Sequence, residues 1–228
     1  MDTKPKPNLI VMLTYDDVTV PNALEVFQAC ADLPVQHWGF KNVGLPVEEM
    51  TALVNRMKAA GKTTYLEVVT YDEASCLEAA KVAVDCKFDV LMGTLYYDSV
   101  HRFLKGHGIT YSPFVGRVSG SPSILEGTNQ EIIDDANAMI EKGITAFDIL
   151  AYRHVADGEK LAYDFCKAVK AKVCIAGSIA SYQRIDTMFT IRPWAFTMGS
   201  ALFDHKFVPN AGVRENLAAV VQYMQDHT

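Results

Sequence analysis

The sequence predicts a single eight-stranded β/α barrel, and three observations lead to this prediction. Short apolar runs alternate with stretches of roughly ten to fifteen residues that have helical spacing, which is the pattern of repeated β/α units. Eight such runs are present, and eight parallel strands are the number that closes a barrel. The length of 228 residues is that of one barrel domain. We therefore expect residues 1–228 to form a single (β/α)8 TIM-barrel domain.

The predicted strands are short, and several are apolar throughout, as parallel strands covered on both faces by other elements usually are. Between them lie amphipathic segments such as Val47 to Ala60, whose apolar residues recur on one helical face. The predicted strands are Leu9 to Thr14, Val35 to Phe40, Thr63 to Val69, Asp89 to Gly93, Ile109 to Phe114, Ala146 to Ala151, Lys172 to Ala176 and Ala195 to Gly199.

An open, doubly wound sheet is the main alternative architecture, because it shares the alternation of strands and helices. Its usual signature is a glycine-rich turn after the first strand, which admits a pyrophosphate group. The first predicted strand is followed instead by Thr14-Tyr15-Asp16-Asp17. This difference favours the barrel.

The composition excludes several classes of function. The chain is 50% hydrophobic and 21% charged, with a formal net charge of -6 and no cluster of Lys and Arg, so we expect no nucleic-acid partner. No segment approaches the roughly 20 apolar residues of a membrane span. The start of the chain, Met1 to Asn8, is polar and proline-rich, unlike a signal peptide. These features predict a cytoplasmic protein with no membrane partner.

The cysteines and histidines show no spacing typical of a metal site, and no motif for a cofactor is present. We therefore expect no metal and no cofactor. The cysteines are scattered and are best interpreted as buried free thiols, with a reactive Cys174 as the alternative. They are Cys30, Cys76, Cys86, Cys166 and Cys174.

Two glycine-serine pairs follow the last two predicted strands. The first lies in Ile175-Ala176-Gly177-Ser178-Ile179 and the second in Met198-Gly199-Ser200-Ala201-Leu202. In β/α barrels the loops after strands seven and eight often hold a phosphate group, because glycine lets the backbone approach an anion closely. We predict that Gly177, Ser178, Gly199 and Ser200 bind phosphate. The alternative is that both pairs only form tight turns.

At these two loops the chain resembles the ribulose-phosphate-binding barrels, a group that includes barrels of histidine and tryptophan biosynthesis and several sugar-phosphate epimerases. In that group the first loop commonly carries two adjacent glycines, and this chain has Ser178 where the second often stands. The second loop reads much as it does in the group. The resemblance covers the last quarter of the chain in motif and the whole chain in periodicity. It implies a small phosphorylated sugar or sugar-like ligand.

Lys41 and Glu67 are the leading candidates for chemistry. Lys41 follows the second predicted strand, and Glu67 lies well along the third. A glutamate that faces the barrel interior needs a partner, because an unpaired buried carboxylate is costly. The pair could move a proton beside a carbonyl, with Glu67 as base and Lys41 stabilising an enediolate. Lys41 could instead form a Schiff base, or the pair could be a structural ion pair.

Other polar residues lie near the predicted carboxyl ends of strands. Of the adjacent Asp16 and Asp17, we prefer Asp16 as a second acid or base, although either could cap the next element. Arg153 and His154 follow the sixth strand, where the arginine could bind substrate and the histidine could transfer protons. Arg117, in the long loop after the fifth strand, could close over the phosphate.

Asp148 and Asp89 are interpreted as structural. They occupy matching places in Phe147-Asp148-Ile149-Leu150 and Phe88-Asp89-Val90-Leu91, near the start of their predicted strands. That position is at the end of the barrel opposite the expected site.

These observations predict an isomerase or epimerase that transfers a proton next to the carbonyl of a sugar phosphate. A class I aldolase-type lyase that uses Lys41 as its Schiff-base lysine is the second hypothesis. A binding protein that holds a phosphorylated metabolite without chemistry is the third. Barrels of this kind often self-associate, so a homo-oligomer is possible, but no apolar stripe identifies an interface.

Overall fold

A parallel sheet of eight strands forms the centre of the computed structural model, which describes residues 6–227. Each strand falls within or overlaps a predicted one, so the barrel prediction is confirmed and the open-sheet alternative is wrong. The strands are β1 (Asn8–Met12), β2 (His37–Lys41), β3 (Thr63–Val68), β4 (Val90–Gly93), β5 (Thr110–Ser112), β6 (Ala146–Ile149), β7 (Lys172–Ile175) and β8 (Ala195–Met198).

The strand order explains how the sheet closes. Hydrogen-bonded neighbours run β6-β7-β8-β1-β2-β3-β4-β5, which is the sequence order of a barrel. The two ends of this sheet meet at a parallel bridge between Phe114 and Asp148. There the amide of Asp148 donates to the carbonyl of Pro113 at 3.0 Å. The result is a nearly closed barrel whose strands all end at the same mouth.

Helices alternate with the strands and cover the outside of the barrel. Their starts carry recognisable caps: Thr128 and Glu131 form a capping box before one helix, and the Ser181 side chain caps another. The helices are α1 (Ala23–Cys30), α2 (Val47–Ala59), α3 (Glu73–Asp85), α4 (Asp98–Gly106), α5 (Asn129–Glu141), α6 (Gly158–Ala168), α7 (Tyr182–Ile191), α8 (Ser200–Phe203) and α9 (Val213–Asp226).

The main hydrophobic core lies between the barrel and the helices. Trp38 on β2 is completely buried there and meets Phe27 edge to face, with ring centroids 5.1 Å apart. A smaller cluster fills the barrel interior and includes Ile10, Met12 and Tyr65. Outward-facing strand residues therefore pack against the helices, and inward-facing strand residues fill the interior of the barrel.

The five cysteines are buried and form no disulfide bonds, which confirms their interpretation as core thiols. Complete burial raises the pKa of the Cys174 thiol well above its usual value, and the negative charges of Asp148 and Glu67 add to that effect. A thiol in this setting keeps its proton, so a reactive Cys174 is not supported.

The long segment after β5 is ordered as a hairpin. Its strands are Arg117–Ser119 and Ile124–Glu126, and they pair antiparallel. The Tyr71 hydroxyl donates to the carbonyl of Gly120 at 3.0 Å and lies 2.7 Å from the Ser123 hydroxyl, which fixes the hairpin tip against the loop after β3.

Within residues 6–227, no helix combines the length and the apolar character that a membrane crossing requires. The polar start of the chain, predicted not to be a signal peptide, lies mostly outside the described residues.

Candidate active site

A cavity of about 190 Å³ opens at the carboxyl ends of the strands. Both glycine-serine loops line it, one after β7 and one after β8. Lys41, Glu67 and Arg153 reach the same space. The structure therefore brings the predicted phosphate-binding residues and the predicted catalytic pair into one cavity.

The loop after β7 takes a left-handed backbone over two residues. Gly177 has φ 78° and Ser178 has φ 63°, a conformation that favours glycine. Ser178 thus adopts, without being a glycine, a backbone conformation that glycine adopts most readily. The amide of Gly177 donates to the Thr197 hydroxyl at 3.1 Å, so this loop is tied to β8. Because that amide is already engaged, it is not available to an anion.

The loop after β8 lies tightly against the end of β1. A Cβ atom on Gly199 would fall 2.7 Å from the Thr14 hydroxyl oxygen and 3.0 Å from the Thr14 carbonyl oxygen. Only glycine fits this approach without a shift of the backbone. The short helix α8 begins at the next residue, Ser200, whose hydroxyl accepts a hydrogen bond from the amide of Asp16 at 3.3 Å.

Asp17, and not Asp16, enters the cavity. The two aspartates form the turn of a small hairpin whose strands are Thr14–Tyr15 and Val18–Thr19. Both have positive φ, 47° and 63°, as the two central residues of a mirror-image hairpin turn require. This turn directs the Asp17 carboxylate into the cavity and leaves Asp16 exposed, so the preference for Asp16 is not supported.

Lys41 lies between two carboxylates. Its Nζ atom is 2.7 Å from Asp17 Oδ1 and 3.7 Å from Glu67 Oε1. Only 9% of the Lys41 side chain and 13% of the Glu67 side chain are exposed. The predicted partnership of Lys41 with Glu67 is therefore present, because β2 and β3 place the two residues directly opposite each other.

Arg153 is the second cation of the cavity. It ends the short helical turn Ala151–Arg153 after β6, and its Nη2 atom lies 3.6 Å from Asp17 Oδ1. Partial burial raises the pKa of Asp17, but Lys41 and then Arg153 outweigh it and hold that pKa below its usual value. Arg153 also packs beside Gly177, where an added Cβ would fall 3.4 Å from its Nε atom. The guanidinium thus borders the predicted phosphate loop.

Two predicted residues lie elsewhere. The His154 Nε2 atom donates to the carbonyl of Gly127 at 2.7 Å, which binds this histidine to the hairpin after β5, outside the cavity. Arg117 is exposed on that hairpin, where its charge helps lower the pKa of Glu131. The structure therefore supports neither a catalytic His154 nor a substrate-binding Arg117.

Asp148, which the sequence analysis interpreted as structural, has an environment that the sequence did not predict. It is completely buried, and among the described residues neither carboxylate oxygen has a hydrogen-bond partner. Burial raises the pKa of Asp148 well above its usual value, and the charge of Glu67 raises it further, while Lys41 and Arg153 oppose the shift. Its electrostatic neighbours are thus side chains of the cavity. The inward alternation along β6 was the available signal.

Side chains that could hold a metal are not grouped in the described part of the chain, where no cluster of three or more His, Cys, Asp or Glu is found. The polar groups that line the cavity are hydroxyl groups and backbone at the two loops, the cations Lys41 and Arg153, and the carboxylates of Asp17, Glu67 and Asp204. The hydroxyl groups, the backbone and the two cations are suited to an organic anion.

Comparison with known proteins supports the fold. No protein-family model matches the sequence, and no curated protein matches it in sequence. Solved structures match over nearly the whole chain. A native KDPGal structure has a TM-score of 0.70 at 16% identity and covers 99% of this chain and 98% of that one.

Two further structures give the same result. Orotidine 5'-phosphate decarboxylase from Pyrococcus horikoshii OT3 has a TM-score of 0.68 at 12% identity, covering 95% of this chain and 99% of that one. A mutant tryptophan synthase alpha-subunit from Pyrococcus furiosus has a TM-score of 0.66 at 11% identity, covering 96% and 98%. These structures share the β/α-barrel fold of this chain. At these identities the likeness concerns the fold alone.

The arrangement in the cavity defines what chemistry is possible. Glu67 can accept a proton, Lys41 can stabilise a negative charge that develops on a neighbouring oxygen, and Arg153 can pair with an anionic group. The two glycine-serine loops lie on the opposite side of the cavity from β3 in the strand order. A ligand that spans the cavity would meet both sets of residues.

Proposed function

We propose that this protein is an enzyme that moves a proton next to the carbonyl group of a small phosphorylated metabolite, as an isomerase or epimerase does. The observation that carries the proposal is the Lys41–Glu67 ion pair, with 3.7 Å between Nζ and Oε1, in the same cavity as both glycine-serine loops. A base, a cation and an anion-binding backbone are the three parts that this chemistry needs.

The phosphate group is assigned to the two loops. Gly177 and Ser178 follow β7, Gly199 and Ser200 follow the neighbouring strand β8, and all four line the cavity. Arg153 beside Gly177 supplies a positive charge. Barrels of this fold often bind phosphate after strands seven and eight. The name of one structural neighbour, orotidine 5'-phosphate decarboxylase, also points to a phosphorylated ligand.

The reaction follows from the positions of the charged groups. Glu67 removes the proton from the carbon next to the carbonyl, the electron pair of that C–H bond forms a C=C bond, and the π pair of the carbonyl moves onto its oxygen. The Lys41 ammonium group stabilises the resulting enediolate. In an epimerase the proton returns to the same carbon and the original carbonyl forms again. In an isomerase the proton from Glu67 goes to the former carbonyl carbon, and the proton of the neighbouring hydroxyl moves to the oxyanion, so that the carbonyl forms on the other carbon. No external oxidant or reductant is required.

A lyase that uses Lys41 as an imine-forming amine is the second candidate. The burial of Lys41 inside the cavity favours this alternative, because Schiff-base lysines are commonly buried. The ion pair with Asp17 opposes it, because an ammonium group has no free electron pair to attack a carbonyl. Borohydride reduction in the presence of substrate separates the two: a covalent adduct on Lys41 supports the lyase, and its absence supports proton transfer.

The experiment that tests proton transfer needs no knowledge of the final product. The protein is incubated in D2O with a panel of ketose and aldose phosphates, and proton NMR follows the loss of the signal next to the carbonyl. We expect exchange with at least one panel member, and a loss of about 100-fold or more in the Glu67→Gln variant. Glu49→Gln, an exposed glutamate on α2, is the matched control and should exchange normally.

Two outcomes would reject this proposal. Equal exchange rates in the Glu67→Gln variant and the wild type would remove Glu67 from the chemistry. Phosphate-dependent binding of a panel compound without any exchange would favour the third hypothesis, a binding protein without chemistry. A cytoplasmic location and self-association into a homo-oligomer stay predictions.

A further inference from the structure

A second cavity, the floor cavity, lies inside the barrel at the amino ends of the strands. Its volume is about 250 Å³. The first residues of several strands line it, among them His37 of β2, Thr110 of β5 and Lys172 of β7. Within residues 6–227, none of those that line the floor cavity also lines the cavity at the mouth. The floor cavity is therefore separate from the proposed active site, and its occupation does not depend on the proposed function.

Three aromatic rings meet in the lining of the floor cavity. The His37 ring packs edge to face against Trp194, with centroids 5.4 Å apart, and against Tyr65, with centroids 5.7 Å apart. The backbone of Trp194 is fixed, because its carbonyl accepts hydrogen bonds from the amide and the side chain of Asn8, both at 2.9 Å. Apolar side chains of the barrel interior complete the lining. This surface suits a flat ring.

Two polar groups in the lining have no hydrogen-bond partner in the described part of the chain. One is the hydroxyl of Ser112 on β5, a residue that is only 4% exposed. The other is His37 Nε2, whereas Nδ1 of the same ring lies 2.8 Å from the Tyr65 hydroxyl. Burial and then the charge of Lys172 lower the pKa of His37, so the ring is neutral at pH 7. Because buried polar groups are normally hydrogen-bonded, these two atoms are free to bind a ligand or water.

The charges of the floor cavity do not balance. Asp89 is compensated, because its carboxylate accepts hydrogen bonds from Lys58 and from the amide and hydroxyl of Thr64, each at 2.8 Å. Lys172 lies at the rim with its Nζ atom 5.0 Å from the ring centroid of Trp194, and it forms no ion pair with a carboxylate of residues 6–227. The uncompensated charge is therefore positive.

We propose that the floor cavity binds a small aromatic carboxylate, with its ring against Trp194 and Tyr65, its carboxylate at Lys172 and a ring hydroxyl group at Ser112. The volume suits a single substituted ring, because a cavity of about 150 Å³ already holds benzene. A carboxylate carries one negative charge and matches the one uncompensated cation. A phosphate group carries a charge of about -1.5 to -2 at pH 7, which Lys172 alone would not balance.

The first test uses the two tryptophans of the chain, Trp38 and Trp194. Protein labelled with fluorotryptophan gives one fluorine NMR signal for each, and Trp194→Phe assigns them. The probe is 4-hydroxybenzoate. We expect a saturable shift of the Trp194 signal at concentrations of about 1 mM or below, while Trp38, buried in the outer core, is unaffected. The absence of a saturable shift at Trp194 up to about 10 mM would overturn the inference.

Matched compounds test the two polar contacts. The amide 4-hydroxybenzamide has the same shape without the charge, and benzoate lacks only the ring hydroxyl. Relative to 4-hydroxybenzoate, we expect the amide to bind about tenfold more weakly and benzoate about fivefold more weakly. Lys172→Met should remove the first difference, and Ser112→Ala should remove the second. Lys105→Met, exposed in the last turn of α4, is the control for the loss of a positive charge and should preserve both.

Equal affinity for the acid and its amide, or an unchanged preference for the acid in Lys172→Met, would overturn the proposed anion contact. An unchanged difference in Ser112→Ala would overturn the place of the hydroxyl group. A crystal soaked with 4-bromobenzoate needs no variant, and the anomalous signal of bromine should lie in the floor cavity. Bromine bound only at the mouth or on the outer surface would contradict the inference. None of these measurements uses turnover, so they stand or fall separately from the proposed function.

Discussion

Lys41 Nζ lies 2.7 Å from Asp17 Oδ1, and this contact joins the second barrel strand to the hairpin turn that follows the first. The hairpin places Asp17 by means of two successive residues with positive φ. Lys41 is thereby held at one position, within reach of Glu67 on the next strand. The geometry of the proposed catalytic pair, Lys41 and Glu67, depends on a residue that is itself half exposed, with 48% of the Asp17 side chain accessible.

Replacing Asp17 tests this dependence. In Asp17→Asn the ion pair is lost, so Lys41 is less fixed and the exchange rate on the best panel compound should fall by about tenfold, which corresponds to about 1.4 kcal/mol. The loss of unfolding free energy should stay below about 1 kcal/mol because Asp17 is largely screened by solvent. Deuterium exchange and urea unfolding measure the two effects.

Asp16→Asn is the control for this variant, because Asp16 is adjacent, exposed and outside the cavity. It should keep the wild-type exchange rate. A similar loss in both variants would mean that the turn as a whole, and not the contact with Lys41, is responsible.

Gly199 is predicted to be the least replaceable residue of the phosphate loops. In Gly199→Ala the new Cβ would lie 2.7 Å from the Thr14 hydroxyl, so either the Thr14 side chain or the loop after β8 must move. We expect at least about a tenfold loss in phosphate affinity by calorimetry and a loss of about 1–3 kcal/mol in unfolding free energy. Gly106→Ala is the control, because no atom lies within 4 Å of its added Cβ at the end of α4. Unchanged phosphate affinity in Gly199→Ala would contradict the assignment.

Asp148→Asn should change how stability depends on pH. Because the pKa of Asp148 is raised in the folded state, its contribution to stability is complete below the unfolded pKa of about 3.9 and is lost as pH rises towards the folded pKa. The wild type should therefore lose up to about 1.36 kcal/mol per pH unit above pH 4 relative to Asp148→Asn. Urea unfolding of both proteins from pH 4.5 to pH 8 measures the difference. A constant difference would show that Asp148 is ionised in the folded protein.

Asp89→Asn should show the opposite dependence. Burial alone raises the pKa of Asp89, but the Lys58 and Thr64 hydrogen bonds outweigh it and leave the pKa below its usual value. The stability that Asp89 contributes is therefore present above a pH of about 4 and is lost as pH falls through the folded pKa. Asp89→Asn should have a lower unfolding free energy than the wild type at neutral pH, and the difference between the two should decrease at acidic pH. The same urea series, extended to lower pH, tests it.

Periodicity made the fold and the two loops predictable. The spacing of apolar residues distinguishes strands from helices, and glycine marks the places where the backbone must approach a ligand or another strand closely. Lys41 and Glu67 were predictable for the same reason, because strand alternation decides which side chains face inward.

Asp148 could not be placed in this way, because its height in the barrel depends on strand stagger. Val90 pairs with Thr110, whereas Asp148 pairs with Phe114, four residues further along. The tilt of barrel strands produces this offset. Two similar motifs therefore lie at different levels of the barrel, with Asp89 nearer the floor than Asp148.

The choice between Asp16 and Asp17 also lay outside sequence reasoning. A two-residue hairpin turn is usually recognised in a sequence by Asn-Gly or Asp-Gly at its centre. Asp16-Asp17 is not such a pair. His154 was predicted from its place after a strand, but a backbone carbonyl of the neighbouring hairpin engages it. A hydrogen bond between a side chain and the backbone of a distant segment depends on tertiary packing, which the spacing of residues in the sequence does not predict.

We propose that the loops that begin at Gly177 and Gly199 bind one phosphate group beside Lys41 and Glu67. A crystal structure of the protein grown with inorganic phosphate is the decisive measurement. We expect one anion in the cavity, within about 3.2 Å of donor atoms in both loops. Phosphate bound only elsewhere, or in contact with a single loop, would contradict it.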